Sequence, residues 1–285
     1  MTNILNGKAL SLSLQQELKK SINALTTRKP TLAFILVGHH PPSLIYVERK
    51  KKATAFVGIR SIISHLNENI SEKMLIQQIQ KYNNDPSIDG ILVQMPLPPS
   101  ISPYPVIQAI HPNKDVDGFH PLNFGKLLLG EKDGFIPCTP LGIQCLLEKN
   151  QIAIESKHVV IVGRSNIVGK PLAALLMQKK KGANATVTIA HSQSKDLHKI
   201  TQEADILVSA IGKPRFLTQN MVKKGCVVVD VGITQVQGKL VGDVDYEKVA
   251  PITAAITPVP GGIGPMTIAM LLKNTYLSFQ RREKR

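Results

Sequence analysis

The chain reads as an α/β protein of two lobes, each a parallel sheet flanked by helices. Three observations predict this. Short apolar runs alternate with longer segments in which apolar residues recur every three or four positions, once before residue 111 and again after residue 150. A polar stretch with little regular pattern, residues 111–137, lies between the two alternating halves. The second half opens on His158-Val159-Val160-Ile161-Val162 and then Gly163-Arg164-Ser165-Asn166-Ile167-Val168-Gly169-Lys170-Pro171. That is a buried strand, a glycine turn and a helix start, the arrangement that aims backbone N–H groups at an anion.

In order, Leu10, Leu14, Leu18, Ile22 and Leu25 mark an amphipathic helix. Residues 31–37 form an apolar strand ending at Gly38, residues 43–56 a helix and residues 59–66 a strand. Ser71 caps a helix to Tyr82, residues 89–95 form a third strand closed by Pro96 and Pro98, and a short helix follows near 106–110. Beyond the polar stretch a helix is expected over 140–149, then strands at 159–162, 185–190, 206–211 and 226–231 with helices between. The helix from Pro171 should run to Lys181, with Lys179, Lys180 and Lys181 at its negative end and Gly182 as its cap. Gly238-Lys239 marks a hairpin, residues 254–258 a last strand and residues 266–279 a closing helix.

With 285 residues, 43% hydrophobic and 19% charged, there is ample material for two cores. The net charge is +15, but aromatics are only 4%, Trp is absent, and no helix-turn-helix, zinc-finger or RNA-binding signature accompanies the basic residues. A nucleic-acid partner is therefore not expected; the basic surface suits polyanionic small molecules. No run approaches a membrane span, and Cys138, Cys145 and Cys226 show neither metal spacing nor an even disulfide set, so a cytoplasmic protein is expected.

The glycine turn excludes one phosphate site and favours another. A Walker A loop needs four residues between its glycines and a Ser or Thr after the Lys. Here five intervene and Pro171 follows Lys170. A dinucleotide loop fits better, although Ser165 stands at the usual middle glycine, and an ordinary βα turn remains an alternative. The next strand leads into His191-Ser192-Gln193-Ser194-Lys195, without the Asp or Glu that binds the ribose 2′-hydroxyl of NAD. Ser192, Lys195 and Arg164 instead favour a 2′-phosphate, hence NADP.

Candidate chemistry lies mostly in the first half. Tyr46 and Lys50, four apart, share a helix face. A Tyr-x-x-x-Lys pair also marks short-chain dehydrogenases, but their nucleotide loop precedes the pair, whereas this one follows it by over a hundred residues. Gln94 closes a strand at its carboxyl edge. Asp115 and Asp117 could bind a metal, but no His or Cys stands at ligand spacing, and one Asp accepting two N–H donors of a heterocycle suits the loop better. His120 and His191 read as a loop and a strand-end residue, and Cys138 as structural for want of a partner base. Gly261-Gly262-Ile263-Gly264-Pro265, approached through Pro258 and Pro260, is a tight turn suited to close backbone approach.

Tyr46-Val47-Glu48-Arg49-Lys50, Val93-Gln94-Met95-Pro96-Leu97-Pro98, residues 114–121, Pro137-Cys138-Thr139-Pro140, residues 163–171 and residues 258–267 together resemble the bifunctional methylenetetrahydrofolate dehydrogenase/cyclohydrolase family, in order and over nearly the whole chain. The resemblance implies oxidation of 5,10-methylenetetrahydrofolate by NADP+ and hydrolysis of the methenyl product to 10-formyltetrahydrofolate. It implies a folate-binding catalytic domain of residues 1–138 plus 265–285, a Rossmann-type NADP-binding domain of residues 139–264, and an active-site crevice between the lobes. Lys50, Gln94, Asp117 and Tyr46 would be catalytic. Tyr46, Ser43, Gln94, Asp117, Pro260 and Gly262 would bind folate. Gly163, Arg164, Ser165, Ile167, Gly169, His191, Ser192 and Ile233 would bind NADP. A homodimer formed through the nucleotide domain and no metal are implied. Leu122 departs from the Tyr of many relatives, and the basic tail from Arg281 looks ornamental to the mechanism. A non-catalytic NADP-binding or sensor protein on the same scaffold is the alternative.

Overall fold

A computed structural model of the chain describes residues 2–283. The elements are β1 (Asn3–Ile4), α1 (Gly7–Asn23), β2 (Thr31–Val37), α2 (Pro41–Val57), β3 (Arg60–Leu66), α3 (Glu72–Asn84), β4 (Gly90–Val93), α4 (Pro103–Ala109), α5 (Pro121–Leu129) and α6 (Cys138–Lys149). There follow β5 (His158–Val162), α7 (Gly169–Leu176), β6 (Thr186–Ala190), α8 (Leu197–Gln202), β7 (Ile206–Ser209), β8 (Val227–Asp230), β9 (Thr234–Val236), β10 (Lys239–Val241), α9 (Tyr246–Val249), β11 (Ala255–Ile256) and α10 (Ile263–Glu283). The chain divides into two units. One takes Leu12–Cys138 and the chain from Ile268 onward; the other takes the chain up to Ser11 and Thr139–Thr267.

The first unit is a three-stranded parallel sheet in the order β3-β2-β4. Every residue of β2 and β4 is buried, as a sheet covered on both faces requires. Ala33, Ile35 and Val37 of β2 meet Leu75 and Ile79 of α3 and Val106 of α4 in one core. α2 ends where Gly58 adopts a left-handed conformation, and Ser71 starts α3 by accepting the Met74 N–H at 3.3 Å. α5 lies inside the stretch that sequence pattern leaves irregular. Pro121 occupies its first turn, the His120 ring accepts the Leu122 N–H at 3.0 Å, and Gly130 closes it. His120 is thus a helix cap; a helix of nine residues is too short for periodicity to reveal.

The expected basic tail is not ornamental to the fold. Asp89, fully buried, receives both Arg28 nitrogens at 2.7 and 2.8 Å and the Thr31 N–H at 2.8 Å. Arg282 of α10 donates to the Ile88 and Pro86 carbonyls and lies 3.4 Å from Asp89. Arg281 donates to the Asp133 and Lys132 carbonyls and covers the Phe135 ring. Lys284 and Arg285 lie outside the described residues.

The second unit is a six-stranded, wholly parallel sheet in the order β1-β11-β8-β7-β5-β6. Val160, Val162, Leu207 and Val228 anchor its core with Leu217 and Val249. β9 and β10 form a separate antiparallel hairpin, turned at Gln237 and Gly238 with φ of 48° and 79°. Residues 2–11, expected in the first lobe, pack here instead. β1 adds to β11 through Asn3↔Ala255, the Leu5 N–H reaches the Ile256 carbonyl at 2.8 Å, and Thr2 Oγ1 donates to the Ala250 carbonyl at 2.6 Å. A two-residue strand carries no periodic signal. α7 is also shorter than expected: it stops at Met177, so Lys179, Lys180 and Lys181 lie beyond it and Gly182 is not its cap. The chain turns away through Lys180 N–H to Gln178 O at 2.8 Å.

Candidate functional site

In the first unit, side chains converge at the carboxyl ends of β2 and β4, the edge where open α/β sheets present ligand groups. Ser43, 2% exposed, starts α2; its hydroxyl donates to the Met95 carbonyl at 3.4 Å and lies 3.0 Å from His40 Nδ1. One turn on, Tyr46 and Lys50 stand half-buried on one face. Gln94 follows β4 directly, its backbone N–H held by the Ile35 carbonyl at 2.8 Å. Its amide nitrogen donates to the Met95 carbonyl at 2.7 Å, which turns its oxygen toward α2, where Lys50 Nζ donates to it at 3.0 Å.

The two aspartates of the polar stretch separate by environment. Asp115 is buried and its oxygens are already committed. They accept N–H groups of Gly118 at 3.1 Å, Phe119 at 3.2 Å and His120 at 2.8 Å, and the Asn123 amide at 2.8 Å. Burial raises its pKa, and the Asn123 amide and these N–H groups oppose the rise. Asp117 is half-buried and its carboxylate faces the Lys50 ammonium and the Cys138 thiol. Burial pushes it above the ordinary carboxylate range, while Lys50 and Cys138 pull it back. Among the described residues no group of three or more His, Cys, Asp or Glu could hold a metal ion. Cys138, 1% exposed, has its thiol raised well above the usual range by burial and by the Asp117 charge, so it is no nucleophile. Its Sγ donates to the Val116 carbonyl at 3.3 Å, a structural role as expected.

The second unit gathers the other set at the carboxyl ends of β5, β6 and β8. A Cβ on Gly163 would overlap the Ala210 carbonyl, and one on Gly169 would overlap the Gly163 carbonyl. Only glycine lets the turn fold so closely on itself and on the neighbouring strand, the tight βα cradle of a nucleotide loop. Ser165 Oγ accepts the Val168 N–H at 3.1 Å and the Gly169 N–H at 3.4 Å, so the serine at the middle glycine's place caps α7 from within the loop. Arg164 and Ile167 are exposed. His191 and Ser192 follow β6, with Ser192 exposed, and no acidic side chain lies between Thr186 and Lys195. A guanidinium and a hydroxyl without a competing carboxylate fit a 2′-phosphate. Ile233 projects beyond β8 at 37% exposure. Pro260 and Gly262 belong to this unit too; the Lys8 N–H donates to the Gly261 carbonyl at 2.8 Å and the Val259–Pro260 bond is cis.

The structure thus brings Ser43, Tyr46, Lys50, Gln94 and Asp117 into one unit and gathers Gly163, Arg164, Ser165, Ile167, Gly169, His191, Ser192, Ile233, Pro260 and Gly262 in the other. Sequence reasoning misses the residues behind them. Asn123 supports Asp115, and Asn274 of α10 donates to the Val116 carbonyl at 2.9 Å and the Ile136 carbonyl at 3.1 Å. In the second unit Asp243, fully buried, accepts Ser209 Oγ at 3.0 Å and the N–H groups of Ile211 and Lys213 at 2.8 Å. Asp230 beside it accepts the Asp243 and Val244 N–H groups, both at 2.9 Å, and burial pushes its pKa up to about 7. A lone Asn or Asp offers no signal of such a role.

Two family models match the chain. The catalytic domain of tetrahydrofolate dehydrogenase/cyclohydrolase matches residues 5–117, and its NAD(P)-binding domain matches residues 137–283. The bifunctional protein FolD of Protochlamydia amoebophila is 53% identical, covering 98% of both chains. Among solved structures, the bifunctional FolD dehydrogenase/cyclohydrolase of Campylobacter jejuni is 48% identical with a TM-score of 0.96, covering 99% of this chain and all of that one. The Trypanosoma brucei dehydrogenase-cyclohydrolase, solved with NADP and an inhibitor, is 36% identical with a TM-score of 0.94, covering 100% and 99%. The nucleotide cradle, the Lys50–Gln94 pair and this likeness over the whole length agree: the chain belongs to the tetrahydrofolate dehydrogenase/cyclohydrolase family.

Proposed function

We infer that this chain is a bifunctional enzyme of one-carbon folate metabolism: an NADP-dependent 5,10-methylenetetrahydrofolate dehydrogenase and a methenyltetrahydrofolate cyclohydrolase. The observation that carries the reading is Lys50 Nζ held at 3.0 Å by Gln94, on the helix face that also presents Tyr46, with its charge felt by Asp117. A non-catalytic sensor has no need of an ammonium aimed by a dedicated amide.

The Asp117 carboxyl oxygens accept the amino and ring N–H donors of the pterin-like ring, and Tyr46 stacks on that ring. Ser43 and Gln94 both bond the Met95 carbonyl beside that face, and Gln94 fixes the direction of the Lys50 ammonium. Arg164, Ser165 and Ser192 hold the cofactor by its phosphate, Gly163 and Gly169 allow its close approach, and Ile167, His191 and Ile233 flank it. NADP+ bound there supplies the acceptor for the hydride that leaves the one-carbon bridge. In the second reaction water adds to the methenyl carbon and loses one proton, then the carbon–N5 bond breaks with its electron pair on N5 and the remaining hydroxyl proton moves to N5, leaving the formyl product. Lys50 polarises the reacting centre or assists that proton transfer. The folate-binding catalytic part is the unit around β2, and the NADP-binding part is the unit around β5. The protein works in the cytoplasm as a homodimer joined through the nucleotide unit, whose strand β6 has an unpaired edge. No helix among the described residues is long and apolar enough to cross a membrane.

The test is an assay of purified protein with methylenetetrahydrofolate and NADP+ or NAD+, following reduced cofactor and methenyl product separately. Reduced NADP with little methenyl accumulation is expected. Accumulating methenyl would leave only the dehydrogenase, and silence from folded protein would return the sensor reading. Light scattering of the same sample reads the dimer.

A further inference from the structure

Asp117 can serve folate only if its carboxylate is held in one place, yet it sits in a loop. The loop is fixed by its neighbour. Asp115 is 1% exposed, and its two oxygens receive four donors, from the Gly118, Phe119 and His120 backbone and from Asn123. Three consecutive N–H groups after Asp117 therefore point back at one buried carboxylate, which wraps the backbone around the Asp117 peptide. Gly118 takes a φ of 79° to complete the wrap, and a Cβ there would lie 2.7 Å from the Pro137 nitrogen. Asn123 in turn is tied to its surroundings: its amide also donates to the Pro112 carbonyl at 3.0 Å and accepts the Phe135 N–H at 3.2 Å. The Asp117 carbonyl accepts the Cys138 N–H at 3.3 Å. Each peptide group around Asp117 is pinned, while its carboxylate bonds the Cys138 thiol and feels the Lys50 charge.

We propose that Asp115, braced by Asn123, is a positioning residue of the folate reactions: it sets the backbone from which Asp117 meets the ring. Its carboxylate is spent on backbone donors and touches no substrate. The proposal rests on the folate reading of Asp117.

The experiment compares the full-length wild type with Asp115→Asn and Asn123→Ala. It measures kcat and KM for methylenetetrahydrofolate and, separately, the affinity and stoichiometry of NADP+ binding. Asp115→Asn keeps the shape but turns an N–H₂ group onto N–H donors. Its folate kcat/KM should fall roughly tenfold or more, carried by KM, the scale of one charge-assisted hydrogen bond. NADP+ affinity and stoichiometry should stay at wild-type values. Asn123→Ala removes one of the four donors and should move the same parameters in the same direction by about threefold. If Asp115→Asn does not fold, Asn123→Ala decides alone. A wild-type folate KM in the variants overturns the proposal. So does a fall in kcat at unchanged KM with an equal fall in NADP+ stoichiometry, because that is a smaller folded fraction. A wild type without turnover would defeat the folate reading itself, whatever the variants show.

Discussion

Both units steady their ligand-facing loops with buried aspartates, but they gather the donors differently. Asp115 takes its four donors from residues three to eight positions ahead, three in its own loop and Asn123 in the first turn of α5. Asp243 takes its donors from Ser209, Ile211 and Lys213, thirty or more residues away, and lends its own N–H to Asp230. The first is a local turn that one segment forms by itself. The second joins the ends of β7 and β8 to the segment after the hairpin, and exists only once the sheet is assembled. A local device sets one residue's direction; a distributed one holds a whole sheet edge.

The largest effect should separate the two units cleanly. Lys50→Met should lower turnover roughly 10²–10⁴-fold, the usual worth of a positioned acid–base group. Calorimetric NADP+ binding should be unchanged; loss of NADP+ affinity along with activity would give Lys50 only a structural role. Next, Arg164→Ala should weaken NADP+ about 10- to 100-fold and NAD+ little, as expected when a charge-assisted hydrogen bond to a phosphate is removed. Equal losses for both cofactors would remove the 2′-phosphate assignment.

The contrast between the clamps is sharpened by Asp243→Asn. It should raise the NADP+ KM about tenfold and also cut stability by about 3 kcal/mol, because it breaks a buried charged network shared by several segments. Asp115→Asn should cost function with a smaller drop in Tm. Similar Tm losses in the two variants would erase the distinction between local and distributed support.

The last effect is in the pH dependence of stability. Asp230 titrates near 7 in the folded protein and near 3.8 when exposed. Between those values the folded state holds a proton that the unfolded state has lost, so this group's contribution to stability declines as pH rises through the window. Asp230→Asn removes that slope. Wild-type Tm should therefore decline relative to the variant from about pH 5 to about pH 8, with no further change above. A parallel pair of Tm curves would contradict the raised pKa.

Legibility in the sequence follows the same division. β2 is readable to the residue, because after Thr31 the buried run 32–37 is wholly apolar, the pattern of a sheet covered on both faces. The glycine turn was readable because close backbone contact excludes every side chain at Gly163 and Gly169. Lys50 and Gln94 meet from 44 residues apart, and only the family resemblance paired them. α5 was hidden by its length, β1 by its brevity, and the end of α7 by a lysine run that suits a helix terminus on paper. Asn274 and Asp243 were illegible, because their partners lie far away in the chain and a single polar residue names none of them.

The closing helix has a consequence for how the molecule is made. Ser278 donates to the Asp89 carbonyl at 2.6 Å across 189 residues, and Arg282 reaches the Pro86 carbonyl across 196. The unit that leaves the ribosome early therefore waits for the final turns of the chain, while the unit inserted after it already has every strand it needs. The nascent protein finishes its middle before its beginning. Asp89 spends that interval with Arg28 and the Thr31 N–H, its Arg282 partner still to be translated. Contacts of such span make for slow assembly.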